Sequence, residues 1–453
     1  MNYTQESIQI IANICSLSIT DIQEAYKKQD YRIFSVPKRS GGKRMIHAPE
    51  GLTKLVQQRL YEKFFIKLSY HRVIPKNIFG GLKKTSIIDH ANVHTGKPSK
   101  FLVKMDLKNA FHCVSENPLS KAIYDLFCQE VSIVRYLKYP DKEKIFYDFD
   151  LNAKWSRSFS YENEEALTKR TISSFDKDFD LIKGYLGKRF GNYTPVLFRK
   201  KDNSNLWYLI RDGRDDKKLK KLFVEISKII SRIVTYKSVM VQGSTTSPIL
   251  MALMVAHTDL LKTFSDDFSS DKVSIYVDDL AISTNLKSKE KIEQKISSLI
   301  KKIEKSTVWK FNSKKTRIYD LDKEHPILTG LRLKTIEKLI DDKITKVLEV
   351  TLPKKLQGVI RSSIHRAQYA NDIDATMIAE GYIAYVISVF GNIEKMPGII
   401  KTQLYKYFDT KDLSFLNKNY EKTKATKPSV IEIRSSLEKH SMLPSELTAQ
   451  DLW

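Results

Sequence analysis

The sequence is poor in residues that staple a fold together. Cys15, Cys113 and Cys128 are the three cysteines among 453 residues. Their number and spacing exclude a disulfide framework and a closed zinc site. They fit a reducing compartment, and a cytoplasmic location is expected. No stretch approaches the ~20 consecutive apolar residues that cross a bilayer, so no membrane is expected as a partner. The opening MNYTQESIQIIANIC lacks the basic start and apolar run of a secretory signal. No fixed-period repeat is present. Acidic residues are scarce as well: 53 Asp and Glu stand against 77 Lys and Arg, a formal net charge of +24. The 42% hydrophobic content suffices for a large core and excludes a disordered chain. A globular protein this basic is expected on a polyanion, nucleic acid first. Its length suggests about three subdomains.

Periodicity predicts helices over 4–15 and 20–28, with Thr20 and Gln23 as a capping box for the second. Residues 34–50 read as a hairpin around Ser40-Gly41-Gly42. Helical spacing covers 52–69, and FLVKMDL (101–107) reads as a buried strand ending in an acid. Residues 115–235 read as an insertion with some β structure, closing in a helix over 216–236. Further helices are predicted over 247–265 and 286–306. VSIYVDDLAIST (273–284) reads as two short strands joined at an Asp-Asp pair. After Gly330 the pattern reads as wholly helical: 353–370, 374–390, 398–408 and 429–440, with a basic linker over 417–427.

Asp106, Asp278 and Asp279 carry the candidate chemistry. An acid at the end of an apolar strand is costly unless a cation neutralises it. A strand-end acid and a hairpin acid can meet on one sheet despite their distance in the chain. Two Mg²⁺ ions held there, roughly 3.5–4 Å apart, would stabilise the attacking and leaving oxygens of an in-line phosphoryl displacement. An Asp-Asp pair alone is more often an ordinary turn. The flanking residues decide otherwise.

Tyr276-Val277-Asp278-Asp279 resembles the YxDD box of reverse transcriptases. FLVKMDLKNAF (101–111) resembles their first metal-binding strand, and VQGSTTSPIL (241–250) their QGxxxSP segment. PKRSGGKRMIHAP (37–49) resembles the fingers hairpin of bacterial members, and NSKKTRI (312–318) the NxxKT segment. The five motifs occur in family order over about residues 35–335. The resemblance implies an α+β right-hand polymerase. It has fingers with N-terminal helices (1–100), a palm (101–335) interrupted at 115–235, a helical thumb (336–410) and a basic extension (411–453).

For the site, the resemblance implies that Asp106, Asp278, Asp279 and the Leu107 carbonyl hold the two Mg²⁺ ions. Phe111 would be the gate that selects deoxynucleotides, though a core phenylalanine has the same signature. Gln242, Gly243 and Tyr276 would line the nucleotide pocket. Lys43 and Arg44 would meet the triphosphate, with Lys38 and Arg39 nearby. Lys315 would reach the leaving pyrophosphate. Lys354, Lys355, Arg361 and Arg366, with His365, would track a nucleic-acid backbone.

His90-Ala91-Asn92-Val93-His94, Leu328-Thr329-Gly330 and GYIAYVISVFGN (381–392) resemble retron and related defence reverse transcriptases. The first two are degenerate and the insertion is long, so an unknown-group or abortive-infection relative fits equally. His90 and His94 have the i, i+4 spacing of metal ligands but no third ligand is evident, and RNA contact or a capped helix end is expected. Trp155, Arg157, Tyr161, Arg189, Tyr193 and Trp207 could grip structured RNA, or the insertion could be a self-association surface. The implied partners are a cognate noncoding RNA, deoxynucleoside triphosphates, the DNA product, and an effector protein or further copies of the chain. The implied function is synthesis of cDNA from that RNA, in phage defence. A template-independent or protein-primed polymerase and a non-catalytic RNA scaffold are the alternatives.

Overall fold

A computed structural model describes residues 3–38, 41–70, 74–130, 132–138, 142–148, 168–170, 194–199, 205–212, 217–270, 272–369 and 373–410, with backbone alone between 128 and 219. The chain divides into two compact units. One comprises Met1–Val93 and Ser99–Ile318, the other His94–Pro98 and the chain from Tyr319 on.

The first unit opens with α1 (Gln5–Cys15) and α2 (Ile19–Lys27). The capping box of α2 is Ser18 with Asp21, not Thr20 with Gln23. Serine with a carboxylate three residues on satisfies two orphan N–H groups at the helix start. Strands β1 (Tyr31–Pro37) and β2 (Lys43–Pro49) form the expected hairpin, with Gly41 and Gly42 at φ 86° and 83°. Helix α3 (Gly51–Lys63) follows, then a 3₁₀ turn over Phe65–Tyr70, strand β3 (Ile78–Phe79) and α4 (Ile87–Asn92).

Strand β4 (Phe101–Asp106) buries all but Lys104. Short α5 (Ala110–Cys113) and long α6 (Glu116–Glu130) come next. Strands β5 (Ser132–Lys138), β6 (Lys142–Asp148), β7 (Thr168–Arg170), β8 (Thr194–Arg199) and β9 (Asn205–Asp212) make a separate five-stranded antiparallel sheet, ordered β6-β5-β9-β8-β7. Its first and last strands pair, Ser132 opposite Asp212. Helix α7 (Lys217–Val234) then packs on α6. Leu222, Phe223, Ile226, Ile229, Ile230 and Ile233 are buried. Residues 116–130 and 217–234 are therefore core helices, and the insertion is narrower than 115–235. The aromatic pattern had merged helix α6 with the sheet beyond it.

The predicted helix over 247–265 is two, α8 (Ser247–His257) and α9 (Leu260–Phe268), broken where Asp259 takes a left-handed φ of 50°. Strands β10 (Val273–Tyr276) and β11 (Asp279–Thr284) precede α10 (Lys289–Ser306). With β12 (Arg317–Asp320) they complete the central sheet, ordered β12-β4-β11-β10-β3. Helices α8 and α9 lie against β3 and β10.

In the second unit β13 (Ile327–Leu328), β14 (Leu331–Ile340) and β15 (Lys343–Thr351) form a three-stranded antiparallel sheet. A wholly helical pattern after Gly330 is thus incorrect. Asp341 and Asp342, at φ 49° and 59°, make the two-residue turn of a hairpin. Residue 336 lies inside β14, so helical structure begins only with α11 (Lys354–Tyr369). It continues in α12 (Ile373–Phe390) and α13 (Gly398–Thr410), and α11 packs on both. Helix α12 is long and apolar enough to cross a membrane by length and composition. The expectation of no such helix missed it because Asp374 and Glu380 interrupt the apolar run. Ala375, Ala379, Ile383 and Val386 bury one stripe of it, as in a bundle helix. The predicted helix over 429–440 and the linker lie outside the described residues.

Candidate active site

Asp106 and Asp279 are directly opposite partners in the β4–β11 ladder. Opposed residues on antiparallel strands place their side chains on one face. The turn between β10 and β11 is Val277-Asp278, with Tyr276 paired to Asp279, so Asp279 belongs to the strand and not to the turn. Val277 sits at φ 56°, a strained conformation for a β-branched residue. Its N–H donates to the Phe79 carbonyl at 3.0 Å. Gly80 leaves room for it: a Cβ there would come within 2.5 Å of Val277 Cγ2.

The chain after Asp106 is pinned from two sides. Leu107 N–H donates to the Asp278 carbonyl (3.0 Å), Lys108 N–H to the Lys310 carbonyl (2.7 Å), and Asn312 N–H to the Asp106 carbonyl (2.9 Å). The NSKKT segment is thereby held beside the acids. Lys315 Nζ donates to Asp106 Oδ1 at 2.8 Å. That bond, with the neighbouring acids, raises the Lys315 pKa. Lys104 Nζ lies 3.4 Å from Asp279 Oδ1. Lys104 is two residues before Asp106 on the same strand, and that spacing is the signal by which the sequence could have revealed it. Among the described residues Asp278 makes no such ion pair, though Lys315 offsets part of the upward shift of its pKa. Burial, then the Asp279 and Asp106 carboxylates, push it up to about 6.

The donor set suits a hard divalent cation. Asp278 is held at a high pKa by exclusion from water and by like charge, which a cation relieves. Among the described residues no three acidic, histidine or cysteine side chains converge as a ready-made ligand cluster. Asp279 faces Lys104 and Asp106 faces Lys315, so each carboxylate would exchange a lysine contact for the cation on ligating it. Magnesium accepts few carboxylates when substrate phosphates complete its shell.

The other expected residues divide. Lys43 and Arg44 are exposed on β2, as is Lys38 beside the hairpin tip, while Arg39 lies outside the described residues. Phe111 is partly buried against the core cluster. Gln242 is half-buried and Gly243 exposed, in a loop whose Gln242 carbonyl accepts from His47 N–H at 2.8 Å. Tyr276 is partly buried, and its ring lies 5.9 Å from His90. Lys354, Lys355, Arg361, His365 and Arg366 are all exposed on α11. His90 and His94 are both 0% exposed. Their expected RNA contact is therefore incorrect. His90 packs its ring against Phe79 and Tyr276. Trp155, Arg157, Tyr161, Arg189 and Tyr193 lie outside the described residues, and Trp207 lies on β9, where the backbone alone is described.

Residues 200–327 match the family described as reverse transcriptase (RNA-dependent DNA polymerase). The chain is 35% identical over 85 residues to the retron Mx65 reverse transcriptase of Myxococcus xanthus, covering 19% of this chain and 18% of that protein. It is 33% identical over 78 residues to the retron Ec73 reverse transcriptase of Escherichia coli, covering 17% and 23%. The matched stretches thus span about a fifth of those relatives' length. Among solved structures, telomerase from Candida albicans in complex with the TWJ fragment of telomeric RNA aligns over 90% of this chain and 68% of its own, at 14% identity and a TM-score of 0.38. Apo telomerase from Candida tropicalis aligns over 86% and 59%, at 11% identity and a TM-score of 0.38. Residues 200–327, which hold the Tyr276–Asp279 turn, match the reverse transcriptase family, and over its matched stretches the chain is similar to bacterial retron reverse transcriptases.

Proposed function

We propose that the protein is an RNA-directed DNA polymerase that uses two Mg²⁺ ions. The observation that carries this reading is the opposition of Asp106 and Asp279 across two strands, with Asp278 in the adjoining turn. Asp106 and Asp278 would hold the ions, with the Leu107 carbonyl adding a ligand and Asp279 tuning the pair through Lys104. Bound there, the ions would neutralise the phosphates and stabilise the attacking and leaving oxygens. The protein's own part is positioning. The Gln242-Gly243 loop and Tyr276 shape the nucleotide pocket, and Phe111 excludes a 2′-hydroxyl. Lys43 and Arg44 carry exposed cations toward a triphosphate, and Lys315 releases Asp106 to meet the pyrophosphate. The exposed cations of α11 follow the template–primer backbone.

The finer reading is that a structured noncoding RNA serves as template, and that the cDNA acts in antiviral defence within the cytoplasm. Similarity to retron enzymes over 85 and 78 residues supports it. The test is incorporation of labelled deoxynucleotides by the purified protein with its co-purifying RNA, and sequencing of the product. Product complementary to that RNA is expected, and none from Asp278→Asn. Untemplated product would replace this reading with terminal extension. Undiminished synthesis by Asp278→Asn would remove the site assignment.

A further inference from the structure

The loop that carries Gln242 is held from below by a side chain outside every motif. Gln57, on α3, is 0% exposed. A buried primary amide is costly unless its groups are engaged, and these are. Its Nε2 donates to the Tyr31 hydroxyl at 2.6 Å and to the Ile233 carbonyl at 2.8 Å. Its Oε1 accepts from the Ser244 hydroxyl at 2.7 Å. Ser244 Oγ in turn accepts from Thr246 N–H at 3.3 Å and lies 3.0 Å from Thr246 Oγ1. One amide thus ties together β1, the last turn of α7 and the nucleotide-pocket loop.

The same loop is gripped on its other side by the hairpin. Besides the His47–Gln242 bond, a Cβ on Gly243 would lie 2.7 Å from Ile46 Cγ2 and 2.9 Å from the His47 carbonyl oxygen. The backbone at Gln242-Gly243 is clamped by β2, and the chain one residue on is clamped by Gln57. Neither clamp touches the three acids.

We propose that Gln57 is a positioning residue for nucleotide binding. Through Ser244 it holds the loop in the form that presents Gln242, so that ordering of the loop does not have to be supplied by the incoming nucleotide. This rests on the polymerase reading. It gives the network a signature that a purely structural role lacks: the nucleotide KM moves while kcat and template–primer affinity do not.

The test compares Ser244→Ala, Gln57→Met and the double variant in the full chain. Ser244→Ala removes one hydroxyl and guards against loss of folding in the larger change. Each single variant is expected to raise the deoxynucleotide KM about 5- to 20-fold, as loss of the buried Gln57–Ser244 hydrogen bond implies. The double variant is expected to be no worse than the more affected single one, since the two residues share one interaction. Amide exchange of residues 242–246 is expected to accelerate. An unchanged KM in a Ser244→Ala protein with wild-type Tm, or additive losses in the double variant, would overturn the proposal. Were the wild-type protein to incorporate nothing, the polymerase reading would fall, and exchange alone would decide. Faster exchange at 242–246 in Ser244→Ala supports the clamp; unchanged exchange removes it.

Discussion

Asp278 shows how a site prepared for a cation burdens the protein that lacks one. Its pKa of about 6 exceeds the ordinary 3.8. The folded chain therefore holds this proton more tightly than the unfolded chain. Stability from this group is fully present below about pH 4 and is lost as pH rises through about 6. Asp278→Asn should stabilise the metal-free protein at pH 8 by on the order of 1–2 kcal/mol, a Tm gain of a few degrees, with no gain at pH 4. Calorimetry in chelator at the two pH values checks this, and a Tm at pH 8 unchanged from wild type would count against it. Lys315 is the counterpart. It occupies an oxygen of Asp106 that a divalent ion would use, so Lys315→Met should tighten nucleotide-free Mn²⁺ binding by about 3- to 10-fold. Isothermal titration reads this directly. Weaker binding would mean the lysine orders the acids more than it competes for them. The three acids were legible because each stands beside an apolar run. Gln57 was not legible at all, because its partners lie 26, 176 and 187 positions away and no local pattern marks a buried amide.

Among the elements, the β10–β11 turn depends on β3. Gly80→Ala would drive a methyl into Val277 Cγ2 at a backbone angle that already disfavours a side chain. It should cost about 1–3 kcal/mol and at least about tenfold in incorporation, because Asp278 moves with Val277. A Gly41→Ala control has a similarly positive φ but nothing within 4 Å of its Cβ, and should lose stability locally with a smaller effect on rate. Equal losses in the two variants would show that the turn tolerates the shift. The β14–β15 hairpin shows why its element was misread. Leu339, Ile340 and Ile344 suit a helix as well as a strand, and the turn signal is an Asp-Asp pair where Asn-Gly is the commoner form. Asp341→Asn with Asp342→Gly should therefore raise Tm slightly, by about 0.5–1 kcal/mol of added stability. The paired tip residues Leu339 and Ile344 are 71% and 75% exposed. With so little burial to favour one register, the turn residues weigh heavily there.

For the whole molecule, the excess of 24 positive charges sets how binding responds to salt. Template–primer affinity should fall steeply with ionic strength, and each phosphate that is no longer neutralised should remove about 0.9 from the log–log slope. Replacing Lys354, Lys355, Arg361 and Arg366 together by alanine should flatten that slope by up to about 3.6. A slope that does not change would place the duplex elsewhere. Composition made this electrostatic character plain. It could not separate the inserted sheet from helix α6 before it, because aromatic and charged residues run through both, whereas the apolar periodicity of α7 marked that helix plainly.

The pairing of Ser132 with Asp212 means that the inserted sheet enters and leaves its host at one point. Such a graft asks little of the fold that receives it, since bridging two adjacent chain ends with a short tether carries only a small entropic cost. Excising 132–212 in favour of a few glycine and serine residues should yield a trimmed enzyme that still folds and still polymerises on a generic primed template. What it would forfeit is whatever the graft contributes, so comparing the trimmed and intact forms for binding of structured RNA and for self-association would separate the two roles open to the appendage.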